Sequence, residues 1–382
     1  MKVRPSVKSG AEPQLLNTVF LGLDHTTPGV AVLVATKKEI LYEKYIGLAN
    51  LEYNIPIRKD TLFNLASISK PLTATGIMLL VQKKRLSLDD EVGVYFPELK
   101  SCCKSVRIRH LLSHSSGVSS GSIVNPSTGD ISSPENQHIC NVLRAGRFFP
   151  ESSNKTHFDY AEMRASYGNK DVYEMFLASS PFCNYPPGTR YEYSNTWYAL
   201  LALLVERVLD RPFSEFMKES VFQPFGMDCS CICSDMRQVI PKRAWGYNRH
   251  NNGEYSFQQR VFFANGSGGV FSNVRDLYRF WKGLLSDRFL KKDLRELMWS
   301  DVVQRERKDT FYGYGWQIDH SNSLYRVGHT GSMEGFKNIL RFYPQEGLLV
   351  CVLSNSAYLL SGEERESCAD KIYRIFTSEK NP

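Results

Sequence analysis

The sequence predicts an α+β fold: one antiparallel sheet assembled from both ends of the chain, flanked by helices, with a mainly helical region inserted. Near the N-terminus, Val30, Val32 and Val34 alternate with Ala31, Leu33 and Ala35. A Thr36-Lys37-Lys38-Glu39 turn follows, and residues 40–46 complete a β-hairpin. Towards the C-terminus, residues 323–328, 336–343 and 348–353 read as strands, the last two joined by the turn signal Pro344-Gln345-Glu346-Gly347. Between these groups the pattern is mainly helical. Strands at both ends with helices between them imply one shared antiparallel sheet, whereas a doubly wound parallel sheet needs strand and helix to alternate.

In chain order, a helix is expected at about 13–23, ahead of the hairpin. Residues 70–84 carry Leu72, Ile77, Leu79, Leu80 and Val81 and predict a buried helix. Residues 108–113 begin a short helix that ends before Gly117. From about 119 to 186 the chain turns polar and irregular, which predicts an insertion with one or two helices, such as 171–178, forming a wall or lid over a cleft. A buried helix follows at 197–208. Ser272 reads as the N-cap of a helix whose apolar run is Leu277, Phe280, Trp281 and Leu284. A last helix is expected at about 363–376. Two regions result: a sheet region of residues 1–70 and 190–382, and a helical region of 71–189, with a cleft between them.

Composition excludes several classes. The 42% hydrophobic and 23% charged content is that of an ordinary soluble globular protein, and 382 residues bury one large core or two smaller ones. The net charge of +7 is spread along the chain without a Lys/Arg block, so no nucleic acid partner is expected. The most apolar stretch, 197–205, is shorter than the roughly 20 residues of a membrane span. No apolar segment follows Lys2 and Arg4, and the nine cysteines have no disulfide-framework spacing, so the expected setting is cytoplasmic. Cys229-Ser230-Cys231-Ile232-Cys233 lacks the second cysteine pair that zinc sites add.

Chemistry concentrates in three short motifs. In Ser67-Ile68-Ser69-Lys70, a spacing of three puts Ser67 and Lys70 on one helix face. Pro71 places the helix start at about Ser67, because proline is tolerated in the first turn and not inside. A serine there gains from the unpaired N–H groups of the helix N-terminus, and a desolvated lysine can take its proton. Ser-x-x-Lys also occurs at 101–104 and 152–155. Ser67 is distinguished by apolar Phe63, Leu65 and Ala66 before it and a buried helix after it. Tyr193-Ser194-Asn195 lies between a Pro-Pro-Gly turn and a buried helix. Tyr193 is a second proton-transfer group or a core tyrosine. Asn195 donates to a substrate carbonyl, orients Lys70 or caps the helix. Tyr167-Gly168-Asn169 fits the same pattern with less context. His329-Thr330-Gly331 falls at the end of a strand, where Gly331 lets a substrate backbone approach. His329 there is a proton-transfer partner, a contact for an anionic group or a structural strand residue. Gly266-Ser267-Gly268-Gly269 lacks the strand–turn–helix setting of a cofactor-binding loop.

Together these motifs resemble the serine β-lactamase and penicillin-binding-protein-like superfamily, in its class C β-lactamase, D-Ala-D-Ala carboxypeptidase and family VIII esterase branch. The likeness runs from about 29 to 354. It includes Ile108-Arg109-His110-Leu111-Leu112-Ser113-His114-Ser115-Ser116-Gly117, Gly268-Gly269-Val270-Phe271-Ser272 with the Arg275-Asp276-Leu277 helix, and Tyr314-Gly315-Trp316. The resemblance implies a β-lactamase/transpeptidase-like fold and a serine hydrolase that forms a covalent acyl-enzyme on an amide or ester of a small molecule or short peptide. Ser67 would be acylated, Lys70 and Tyr193 would move protons, and Asn195, His329, Thr330 and Gly331 would bind or orient substrate. The backbone N–H groups of Ser67 and Ser332 would form the oxyanion hole. No metal or organic cofactor is implied. His329 stands where class C β-lactamases have lysine, which points away from β-lactam hydrolysis and towards peptidase or amidase chemistry, with esterase or transacylase next. The remaining alternative is a filament-forming scaffold of the same fold.

Overall fold

The structure, a computed structural model, describes residues 16, 19–20, 22–118, 168–178, 181–235, 237–258, 265–333, 335–357 and 363–377, with backbone only at 178 and 363–367. Most of the helix expected at 13–23 and most of the insertion expected at 119–186 lie outside the described residues, as does Ser152.

Both chain ends build one antiparallel sheet. Its strands are β1 (Val30–Thr36), β2 (Ile40–Ile46), β3 (Val303–Gln304), β4 (Thr310–Tyr312), β5 (Gln317–Asp319), β6 (Arg326–Met333), β7 (Phe336–Tyr343) and β8 (Leu348–Ser354), in the spatial order β3-β4-β5-β6-β7-β8-β1-β2. The ends meet at the β8–β1 seam, whose register runs from Val30 opposite Ser354 to Thr36 opposite Leu348. The valine–alanine alternation of β1 follows from its two buried faces. Val30, Val32 and Val34 pack with the helix at the C-terminus, whereas Ala31, Leu33 and Ala35 face the main core. Small side chains on that face bring helix Val274–Leu284 close to the sheet, and this helix contacts both β1 and β8.

The helices that matter to the site are α1 (Ser69–Gln82), α2 (Ile108–Leu112), α3 (Asn169–Ala178), α4 (Asn195–Leu209), α5 (Val274–Leu284) and α6 (Glu363–Thr377). Every residue of α1 from Ser69 to Leu80 is buried, as is every residue of α4 from Thr196 to Val205. Each therefore lacks a polar stripe and belongs to the core. Among the described residues, no helix is long and apolar enough to cross a membrane.

The structure moves three of the expected boundaries. The N-cap of α5 is Asn273, whose Oδ1 accepts the Asp276 N–H at 2.9 Å. Ser272 is buried one residue earlier, hydrogen-bonded to Ser230. The strand expected at 323–328 is β6, because Asn322 and Ser323 adopt left-handed backbone (φ 56° and 60°) and delay its start. Pairing with β7 then carries it through Met333, so His329-Thr330-Gly331 lies inside the strand. Ser67 is not in α1. It occupies a single 3₁₀ turn, Ala66–Ile68, that leads into it.

Candidate active site

The site is assembled where the chain turns from the short strand Phe63–Asn64 into α1. Ala66 makes that corner with φ 50°, a left-handed conformation that costs a non-glycine residue about 1–3 kcal/mol. It is held there because its N–H donates to Asn64 Oδ1 at 2.9 Å, while Leu65 N–H donates to Val270 O at 2.9 Å. The corner presents Ser67, half-buried, at the head of the helix, with Lys70 fully buried behind it.

Strand β6 closes one side. A Cβ on Gly331 would run into the Leu65 carbonyl oxygen. The close approach that needs glycine is thus between β6 and the corner before Ser67, and not the substrate approach expected from sequence. Gly331→Ala is expected to push the strand from Ser67, destabilising the fold by about 1–3 kcal/mol and slowing acylation of Ser67. A denaturation midpoint and labelling rate equal to wild type would contradict this packing.

Two polar side chains meet at Ser67. The Tyr193 hydroxyl donates to Ser67 Oγ at 2.8 Å, and Lys70 Nζ lies 3.2 Å from the same oxygen. Lys70 Nζ also donates to Asn195 Oδ1 at 2.7 Å and to the Ser267 carbonyl at 3.0 Å, and lies 4.7 Å from the centre of the Tyr193 ring. Asn195, the first residue of α4, turns its side chain to the lysine instead of capping its helix. Burial raises the Tyr193 pKa above the ordinary phenol range, with the Ser67 hydrogen bond a smaller opposing effect, so the phenol keeps its proton at neutral pH. The residue as a whole is 38% exposed, so the burial is that of its hydroxyl end.

His329 takes the third of its sequence-level readings. The ring is 1% exposed. Nδ1 donates to the Thr330 carbonyl at 2.6 Å, and Nε2 accepts from the Tyr312 hydroxyl at 2.9 Å. Burial, helped by the Lys70 charge, holds its protonation well below the usual histidine range. It is a neutral strut behind β6 and offers an anionic group no contact. Thr330 is half-buried on the strand and its N–H donates to Gln317 Oε1 at 3.2 Å. Ser332 is exposed, and its Oγ accepts from Lys337 Nζ.

The other Ser-x-x-Lys match that is described, Ser101 with Lys104, lies on an exposed turn. Sequence reasoning missed the Ser267 carbonyl. It belongs to the helical turn Asn265–Gly268, which packs on α1 and α4 so closely that a side chain at Gly266 would meet the Tyr198 backbone. The glycine-rich run was the signal. It brings a carbonyl to Lys70.

A model of the family described as Beta-lactamase matches residues 14–370. Penicillin-binding protein 4* of Bacillus subtilis (strain 168) is 30% identical over 357 residues, which is 89% of this chain and 71% of that protein. Esterase EstB of Burkholderia gladioli is 26% identical over 380 residues, 90% of each. The crystal structure of penicillin binding protein from Bacillus halodurans superposes with a TM-score of 0.73 at 24% identity, covering 94% of this chain and 98% of that one, and shows the same fold. The extent of the family match and of the Bacillus subtilis relative makes the conclusion direct: the chain belongs to the Beta-lactamase family and is a serine hydrolase.

Proposed function

We propose that Ser67 is the nucleophile of a covalent acyl-enzyme cycle on carboxylic amides and esters, with D-amino-acid amides and short D-peptides preferred. The observation that carries the reading is the shared contact of Lys70 and Tyr193 with one hydroxyl oxygen. Asn195 Oδ1 and the Ser267 carbonyl only accept, so two vertices of the Lys70 amine are N–H donors and the third faces Ser67. In the deprotonated amine that third vertex is the lone pair, placed to take the Ser67 proton as Oγ attacks the carbonyl carbon. The oxyanion is held by the backbone N–H groups of Ser67 and Ser332, the second one residue past the glycine that packs β6 on the corner. As the tetrahedral intermediate collapses, the bond to the leaving group breaks and Tyr193 gives that group its proton. The lysine ammonium then returns a proton to Tyr193. Water repeats the sequence on the acyl-enzyme, releasing acid and restoring Ser67.

A phenol that still carries its proton at neutral pH has one to give a departing amine, which leaves only when protonated whereas an alkoxide or phenoxide needs less help, and this supports amides ahead of esters. The esterase relative, matched over 90% of both chains, keeps carboxylesterase or transacylase as the second reading. Neutral, buried His329 leaves that position without a cation for a substrate carboxylate, which places β-lactamase activity lower. Asn195 both fixes Lys70 and meets the substrate, and Thr330 and Gly331 form the strand it lies along. In this reading the cleft runs between the sheet region, 1–70 and 190–382, and the helical region, 71–189, so that Ser67 and Lys70 lie at the end of the first sheet segment, against the boundary. A panel of a D-amino-acid amide, a D-Ala-D-Ala peptide, p-nitrophenyl butyrate and nitrocefin tests this. The amide or peptide is expected to give the highest kcat/KM, and a decisive preference for nitrocefin would overturn it.

A further inference from the structure

His114 plays no part in the proton transfers above, yet it is wholly buried beside them. It closes the 108–117 segment after α2 with a left-handed backbone, φ 56°, which is unfavourable for a ring-bearing side chain. Its carbonyl accepts the Glu192 N–H at 2.8 Å, and its Nδ1 accepts the Ser194 N–H at 3.1 Å. The backbone N–H groups of the two residues that flank Tyr193 are therefore both tied to this one residue. The imidazole also lies against the Tyr193 ring, with centroids 4.4 Å apart, and is itself wedged by Tyr312 at 4.6 Å and Tyr198 at 5.1 Å. Because Nδ1 accepts, the ring proton is on Nε2, a buried atom with no hydrogen-bond partner among the described residues. Burial, with the Lys70 charge adding to it, keeps the ring neutral, as an acceptor at Nδ1 requires. A strained backbone and an unsatisfied donor both reduce stability, so packing alone does not account for this side chain.

We propose that His114 is the positioning residue for Tyr193: two hydrogen bonds and one ring face hold the phenol so that its hydroxyl meets Ser67 Oγ. The inference rests on the acyl-enzyme reading above. It makes His114 act through Tyr193 and not on substrate.

Two replacements separate its parts. Asparagine tolerates left-handed backbone and offers Oδ1 near the place of Nδ1, whereas phenylalanine keeps a ring and loses the acceptor. Each is made in wild type and in Tyr193→Phe, and thermal melting, kcat, KM and the rate of Ser67 labelling by a fluorophosphonate are measured. His114→Phe is expected to lower kcat and the labelling rate about 10- to 100-fold with KM little changed, the scale of a misplaced reacting group. His114→Asn should recover most of that loss. In the Tyr193→Phe background both should cost almost nothing further. Losses that multiply with Tyr193→Phe, an asparagine variant no better than phenylalanine, or a phenylalanine variant with the wild-type rate each overturn the inference. If His114→Phe does not fold, the asparagine pair decides: a small loss that vanishes without the phenol supports the inference, and one that persists overturns it. A wild type that takes no label on Ser67 overturns the acyl-enzyme reading and this inference with it. A labelled wild type with multiplying losses overturns this inference alone.

Discussion

Ser67→Ala is expected to lower kcat on the order of 10⁶-fold, the scale for loss of a nucleophile that works as a unit with its base. The corner at Ala66, the head of α1 and strand β6 all place this hydroxyl, against Lys70 Nζ and the Tyr193 hydroxyl. Intact-mass analysis after a fluorophosphonate should find one adduct on wild type, on Ser67, and none on the variant. Because the serine is half-buried at a surface cleft, its replacement should leave the melting temperature close to wild type, so that lost activity is not lost fold. An adduct that persists in Ser67→Ala, on Ser101 or another serine, would refute the assignment.

Removal of the Lys70 amine should cost nearly as much, and in two currencies. Positioned general acid–base groups contribute about 10²–10⁴-fold. Lys70→Ala should lose at least that and Tyr193→Phe a comparable factor, while the double variant should lose far less than the product, because the two groups pass one proton between them. Lys70→Ala also removes two hydrogen bonds made by the buried amine, to the Ser267 carbonyl and to Asn195 Oδ1, a loss of about 0.5–1.5 kcal/mol each. Tyr193→Phe removes one hydrogen bond, to the half-buried Ser67 hydroxyl. The lysine variant should therefore melt lower and the tyrosine variant should not. Losses that multiply fully would show two independent groups and remove the pairing.

Much of this was legible before any coordinates. Ser67 and Lys70 could be read because helical spacing is local and Pro71 marks the first turn. The alternation in β1 was legible for the same reason. What local pattern cannot give is register. The short strands β3, β4 and β5, of two or three residues each, were not read at all, since nothing so brief has a period. The late start of β6 came from two left-handed residues, Asn322 and Ser323, neither of them glycine, and the placing of His329 inside it came from pairing with β7 that runs on to Met333. His329 itself reads identically whether it faces a cleft or a core, and only the burial of its ring against Tyr312 decides. The Ser267 carbonyl was invisible because a backbone atom carries no residue type. His114 sat in a quoted motif without a role, since its partners are peptide groups some eighty positions away.

The seam between β1 and β8 has a consequence for how the enzyme comes into being. Val30 must find Ser354 across more than three hundred residues, so the central pairing has one of the longest loop closures the chain allows. Contacts of such separation slow folding and leave strand edges uncovered meanwhile. During synthesis the hairpin leaves the ribosome first and waits for almost the whole chain before its neighbour exists. Strand β6, which completes the surroundings of Ser67, is late as well. Ser67, Lys70 and Tyr193 are thus all made before the strand that walls them in, and hydrolytic competence should appear abruptly, with the docking of the last strands, and not grow with chain length.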